Sequence, residues 1–249
     1  MTISATHAEV EQLYLASELN GQRSICVTAC HSGDGVTSIA TALAERFLLA
    51  GHSTLYVDLN LFNSAFKNLH MLEEGQSGQL IEHVESHRMF IGVPAPQVAS
   101  TQLAYKDPAT LNKAVTQWLG KYDRVIIDTS PLLNINKGNI PAQSVASACD
   151  CALLVVAYGE TSTHHLEQAK KLLDAQSISL MGCVMNMKNN PSFAQELVRQ
   201  VNRMKFLPSK LRDRLANKLY QNEFLNPANV IFPVSISGCH SKPDSHLSY

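Results

Sequence analysis

The alternation of two hydrophobic periodicities constrains this 249-residue chain more than any other feature. Short, almost unbroken apolar runs recur from residue 23 to about residue 206, separated by stretches whose apolar residues return every three or four positions. The runs are Ser24–Ala29, Thr54–Asp58, 88–93, Arg124–Asp128, Cys151–Ala157 and Leu180–Asn186. Strands that are apolar at nearly every position need cover on both faces, as in a parallel sheet sandwiched by helices. Helical spacing is clearest at 37–50, where Ile39, Leu43, Phe47 and Ala50 share a face, and at 162–175. Gly51 is a fitting stop for the first. The expected fold class is α/β, a doubly wound, mostly parallel sheet in one domain over 23–206, with extra C-terminal helices. A helical segment over 1–22 precedes it and an appended helix over 207–226 follows. Residues 94–107 read as a surface loop, and 227–249, rich in Pro, Ser, Gly and His, are expected to hold little fixed structure.

Composition excludes several function classes. Twenty Lys+Arg against twenty-one Asp+Glu leave a net charge of −1, so nothing indicates a nucleic-acid partner by charge. A hydrophobic fraction of 45% excludes disorder for most of the chain. No run approaches the ~18 apolar residues of a membrane span, and the first residues lack the pattern of a signal peptide, so a cytoplasmic protein is expected. The cysteines, Cys26, Cys30, Cys149, Cys151, Cys183 and Cys239, are dispersed and are expected as reduced, packed thiols. Lys and Arg cluster over 199–218; a solvated helix face is the simpler reading, a membrane-surface or partner site the alternative.

The first strand runs into Ala29-Cys30-His31-Ser32-Gly33-Asp34-Gly35-Val36-Thr37-Ser38 and then a helix. A glycine-rich turn at that place lets backbone N–H groups close on phosphate oxygens at a helix N-terminus, where the dipole favours an anion. Two later strands, ending in Asp58 and Asp128, bring carboxylates to the C-terminal edge of the sheet, where a Mg²⁺-nucleotide would lie.

Three segments resemble the deviant-Walker P-loop superfamily of ParA and MinD, and within it the cytoplasmic domain of bacterial tyrosine kinases that control capsule and exopolysaccharide export. They are Ser32-Gly33-Asp34-Gly35-Val36-Thr37, Leu55-Tyr56-Val57-Asp58-Leu59-Asn60-Leu61-Phe62, and Tyr122-Asp123-Arg124-Val125-Ile126-Ile127-Asp128-Thr129-Ser130-Pro131. The family forms are P-G-E-G-K-S/T, L-L-I-D-A-D-x-R and Y-D-x-V-I-I-D-T-P-P, and the acid between the two glycines favours the kinase branch. The resemblance implies a nucleotide site built from Gly33, Asp34, Gly35, Val36, Thr37 and Ser38, with Asn186 meeting the base. It also implies Mg²⁺ on Thr37, Asp58 and Asp128, weakly held ATP or ADP as cofactor, and Asp58 and Asp128 as the catalytic acids of any active form. A membrane polysaccharide co-polymerase, a homodimer and a peripheral place at the inner membrane are implied in the same way.

The departures change the expected function. Val36 stands where the family has its phosphate-loop lysine, removing the charge that neutralises phosphate oxygens. Asn60 and Phe62 replace an acid and an arginine of the second motif. Glu11 to Ser17 lacks the arginines of the family's ring-assembly motif, and beyond Tyr220 only Tyr249 remains of a tyrosine-rich tail. The expectation is a degenerate kinase, a regulatory or binding subunit in polysaccharide biosynthesis or export without efficient phosphoryl transfer. The alternatives are an active partition-type ATPase switch with an atypical loop, and a scaffold binding no nucleotide. Lys137 reads first as a surface-loop lysine, with a reach toward the phosphates as the alternative. No structural metal is expected. Adjacent His164 and His165 diverge by about 100° on a helix, and Cys149-x-Cys151 has no second pair at zinc spacing. For a Cys30-His31 nucleophile no orienting partner is evident.

Overall fold

The computed structural model describes residues 3–71, 78–84, 86–133, 138–187, 193–203, 209–220 and 231–234. In chain order the elements are α1 (Ala8–Leu19), β1 (Ser24–Ala29), α2 (Val36–Leu49), β2 (Thr54–Asp58), β3 (Phe66–Met71), β4 (Gln79–His83) and β5 (Met89–Val93). They continue with α3 (Ala99–Ala104), α4 (Pro108–Leu119), β6 (Arg124–Asp128), α5 (Ala142–Ser147), β7 (Cys151–Ala157), α6 (Thr163–Asp174), β8 (Leu180–Asn186), α7 (Phe193–Arg203), α8 (Ser209–Tyr220) and β9 (Ile231–Val234). Among the described residues the strands form one sheet in the order β3-β4-β5-β2-β6-β1-β7-β8-β9. Neighbours from β5 to β8 run parallel, whereas β3, β4 and β9 are joined antiparallel at the two edges. This is the expected doubly wound α/β fold.

Alternation along β1 explains why both faces are covered. Ile25, Val27 and Ala29 join the apolar cluster under α1 and α2, with Ile39, Leu43 and Phe47. Cys26 joins the opposite cluster, with Leu111, Val115 and Trp118 of α4, Val145 of α5 and Leu173 of α6. Each fully buried Leu, Ile or Phe contributes roughly 1.5–3 kcal/mol relative to exposure, so the central strands cannot slip register without losing both layers. At the end opposite the glycine loop, Asp150 accepts the N–H groups of Arg23 and Ser24, and the Arg23 guanidinium donates to the carbonyls of Leu119, Tyr122 and Asp123. The start of β1 is thereby anchored.

The structure departs from expectation at the edges. Strands β3 and β4 are not evident from the sequence, because FKNLHM and QLIEH carry neither an unbroken apolar run nor a strict alternation. Within 94–107, read as loop, Ala99–Ala104 forms a helix with no buried residue. The Asp107-Pro108 pair opens α4 as N-cap and N1, with the Asp107 carboxylate accepting from Ala109 and Thr110 N–H. The stretch after Asn226 was expected to be loose, yet Ile231–Val234 pairs with β8. Five cysteines are free thiols, and burial pushes Cys26 up to about 12 and Cys30 to about 11. Cys239 and Lys137 lie outside the described residues. No described helix is long and apolar enough to cross a membrane.

Candidate functional site

The site grows from the end of β1. The Ala29 carbonyl accepts the Leu132 N–H at 2.8 Å, so the glycine loop and the segment after β6 leave the sheet side by side. Gly33 and Gly35 have φ of +92° and +104°, a region costly to side-chain-bearing residues, and Gly35 is the N-cap of α2. A Cβ on Gly35 would overlap the Asn186 amide, whose Nδ2 donates to the Asp34 carbonyl at 2.8 Å. Asn186, at the end of β8, therefore clamps the loop from across the cleft. The Asp34 carboxylate turns back on its own loop, accepting the His31 N–H at 3.1 Å and the Thr161 hydroxyl at 3.5 Å. Burial raises its pKa, with these donors opposing.

Register brings the two strand-end acids together. Asp58 and Asp128 are direct partners across β2 and β6, and both are buried. Oδ2 of Asp128 accepts the Thr37 hydroxyl at 2.6 Å and the Tyr56 hydroxyl at 3.0 Å, while its buried Oδ1 has no protein partner. Asp58 accepts the Asn60 N–H at 2.9 Å and the Ser64 hydroxyl at 3.0 Å. Desolvation raises both pKa values, and the neighbouring Asp58 raises Asp128 further. Among the described residues no three His, Cys, Asp or Glu side chains are placed to hold a metal together. Two carboxylates, an orphaned oxygen and the Thr37 hydroxyl nevertheless fit Mg²⁺, which uses one or two carboxylates and takes further ligands from water and phosphate.

A cleft of about 470 Å³ adjoins this pair through Thr37, Asn60, Ser64 and Thr129, though Asp34, Asp58 and Asp128 are not among its lining residues. Gly33, Gly35, Val36, Thr37, Ser38 and Asn186 line it, so six of the residues singled out in the sequence meet at one surface. Val36 also packs against the apolar cluster under α2. No described lysine or arginine lines the cleft; its basic side chains are His31 and His83.

No protein-family model matches the chain. The tyrosine-protein kinase CpsD of Streptococcus agalactiae is 27% identical over 177 residues, covering 66% of this chain and 75% of that protein. The chain is a homologue of bacterial tyrosine-protein kinases. Solved structures agree at the level of the P-loop fold. The chimerical protein CapA2B2 superposes with a TM-score of 0.57 at 20% identity, over 72% of this chain and 85% of the other. The kinase domain of Escherichia coli tyrosine kinase ETK gives 0.54 at 19% identity, over 70% and 71%. A cobyrinic acid a,c-diamide synthase from Mycobacterium smegmatis, solved with bound ADP and magnesium, gives 0.50 at 16% identity, over 80% and 93%.

The cleft has features that the sequence motifs did not disclose. Tyr56 lies inside the second motif, but its hydroxyl contact with Asp128 depends on strand register. Ala65, His83 and Val84 form a wall that depends on β3 and β4, and Ile3 reaches the same wall from the N-terminus. The Arg88 guanidinium holds that segment through the Ile3 carbonyl at 3.1 Å. By sequence, His31 reads as a nucleophile partner of Cys30 and His165 as a metal-ligand candidate beside His164; the structure pairs His31 with His165 directly.

Proposed function

We propose that the chain is a degenerate relative of the capsule and exopolysaccharide tyrosine kinases: a nucleotide-binding regulatory or binding subunit without efficient phosphoryl transfer. The carrying observation is the contrast between Val36 and its surroundings. At the lysine position an apolar side chain packs onto the core, while the glycine loop, Thr37, Asp58 and Asp128 keep the arrangement a Mg²⁺-nucleotide needs. Thr37, Asp58 and Asp128 would hold Mg²⁺, which supplies charge neutralisation at the phosphates when bound. Gly33 to Ser38 would cradle the phosphates, and Asn186 would face the base as well as hold the loop.

The same reading gives the chain a polysaccharide co-polymerase as partner, a cytoplasmic place against the inner membrane, and a homodimer as a second assembly. Glu11 is engaged within the chain by Arg46 at 2.5 and 2.9 Å, which argues against its use in a ring contact. Calorimetry with Mg²⁺-ATP and Mg²⁺-ADP, followed by a turnover assay, tests the proposal. Wild-type protein is expected to bind in the millimolar range without turnover. Val36→Lys restores a charge-assisted contact of about 1.5–3 kcal/mol, a gain of about 10- to 150-fold in affinity. Turnover by the wild type that Asp58→Ala abolishes would overturn the proposal in favour of an active ATPase switch. No heat and no thermal shift at millimolar nucleotide, with Val36→Lys equally silent, would leave the scaffold.

A further inference from the structure

The cleft lacks a described lysine or arginine, yet the fold brings two groups together that can supply a charge. His31 follows β1 and lines the cleft, and His165 sits on the first turn of α6. Nε2 of His31 and Nδ1 of His165 are 3.0 Å apart, with the rings edge to face at 82°. The Ser162 hydroxyl accepts the His165 N–H at 3.3 Å and the Cys30 thiol meets the His165 carbonyl at 3.8 Å, so α6 is tied to the loop.

A single N–H···N bond needs one donor and one acceptor, so one added proton leaves a donor facing an acceptor, whereas a second would set two donors against each other. If His31 donates, the added proton goes to Nδ1 of His31. If His165 donates, Nδ1 of His31 already carries hydrogen and the added proton goes to Nε2 of His165. Either way the singly charged pair presents an N–H at Nδ1 of His31, on the ring that lines the cleft.

We propose that His31 and His165 form a proton-gated phosphate-binding element, whose one added charge stands in for the absent loop lysine toward a phosphoryl oxygen of the nucleotide. This rests on the nucleotide-binding reading above and adds regulation by pH to it. The Asp34 carboxyl interacts with His31 and with Glu160 of the turn after β7, Cys30 meets the His165 carbonyl and interacts with Cys183 of β8, and His164 adjoins His165 on α6. Burial pushes both thiols up, so they add no charge, and His164, with its ring 6.4 Å from His165, is a second titratable neighbour.

An imidazole ordinarily changes charge between about pH 5 and 8, which sets the window. The test is calorimetry of Mg²⁺-ADP with the full chain at about pH 6 and about pH 8. Wild type, His31→Gln, His165→Gln and Val36→Lys are compared, after circular dichroism and thermal unfolding establish that each is folded. The ratio of affinity at about pH 6 to that at about pH 8 should be about fivefold or more higher in wild type than in either glutamine variant, as a charge-assisted bond forms. Titration of ADP and of the raised Asp58 and Asp128 carboxyls is common to all and cancels. An equal pH ratio in His31→Gln would overturn the proposal while leaving nucleotide binding intact. So would a silent wild type beside a Val36→Lys variant that binds at both pH values. Silence from both proteins at both pH values would remove the nucleotide reading and the histidine element with it.

Discussion

Asp128→Asn should make the protein more stable at alkaline pH, although it removes a carboxylate from the candidate metal site. Asp128 is 1% exposed and faces Asp58 across paired strands, so its charge is both desolvated and repelled. A carboxyl raised in this way binds its proton more tightly folded than unfolded. Its contribution is therefore fully present below the ordinary value near pH 4 and is lost as pH rises through the raised native value. Each pKa unit is ~1.4 kcal/mol, and burial beside a like charge displaces a carboxyl by ~3 units, a cost on the order of 4 kcal/mol once it is ionised. Asparagine cannot ionise, and its amide oxygen can still accept from Thr37 and Tyr56. Its NH₂ falls where Oδ1 has no partner, which costs about 1–3 kcal/mol. The net expectation above about pH 8 is a gain of about 1–3 kcal/mol, or roughly 2–10 °C in Tm for a chain of this size. The advantage should vanish toward pH 4, where both side chains are neutral. Thermal unfolding from about pH 5 to 9 in chelator, repeated with Mg²⁺, reads this directly. Mg²⁺ should raise the Tm of wild type and not of the variant. A loss of stability that stays constant across the range would refute the argument from paired buried carboxylates.

Gly35→Ala places a Cβ against the Asn186 amide at φ +104°, so it should lower stability by about 1–3 kcal/mol in urea titration and abolish nucleotide binding. Gly51→Ala, with open space around its Cβ, should affect stability through its backbone alone. Tyr56→Phe deletes a buried hydroxyl that donates to Asp128 and should cost about 1–2 kcal/mol at pH 8, less at pH 5; an equal cost at both would separate the hydroxyl from the carboxylate's charge. Asp107→Ala should lower Tm near neutral pH, and Asp107→Asn should lower it by less. The Thr110 hydroxyl and N–H hold the Asp107 carboxyl below its usual range, so this stabilisation is present above about pH 4 and fades as pH falls through the native value.

What could be read before folding was whatever depends on local chemistry. Unbroken apolar strands such as Cys151–Ala157 announced burial on two faces, and the two glycines before α2 announced a turn that other residues resist. Asp58 and Asp128 were located by the same logic, since an acid ending an apolar strand stands at a sheet edge. What could not be read depends on register or on distant pairing. The apolar residues of β4 are Leu80 and Ile81 alone, too short a run for a search for doubly buried strands to find; without that strand the wall formed by His83 and Val84 has no source. Tyr56 looked like one more apolar strand residue until the β2–β6 register placed its hydroxyl on Asp128.

The histidines make the same point at longer range. His31 and His165 are separated by 134 positions, whereas the helical-geometry argument against a shared ion dealt only with His164 and His165. That argument concerned neighbours on one helix and had no bearing on a partner from another element. Parallel β1 and β7 are adjacent, so the loop after one and the helix after the other must leave the sheet at the same edge. Topology therefore brings together a helix histidine and a loop histidine, the latter lining the cleft together with Val36. Under the degenerate-kinase reading proposed above, Val36 takes the place of a permanent charge, and the same edge of the sheet carries a pair of imidazoles that can supply one.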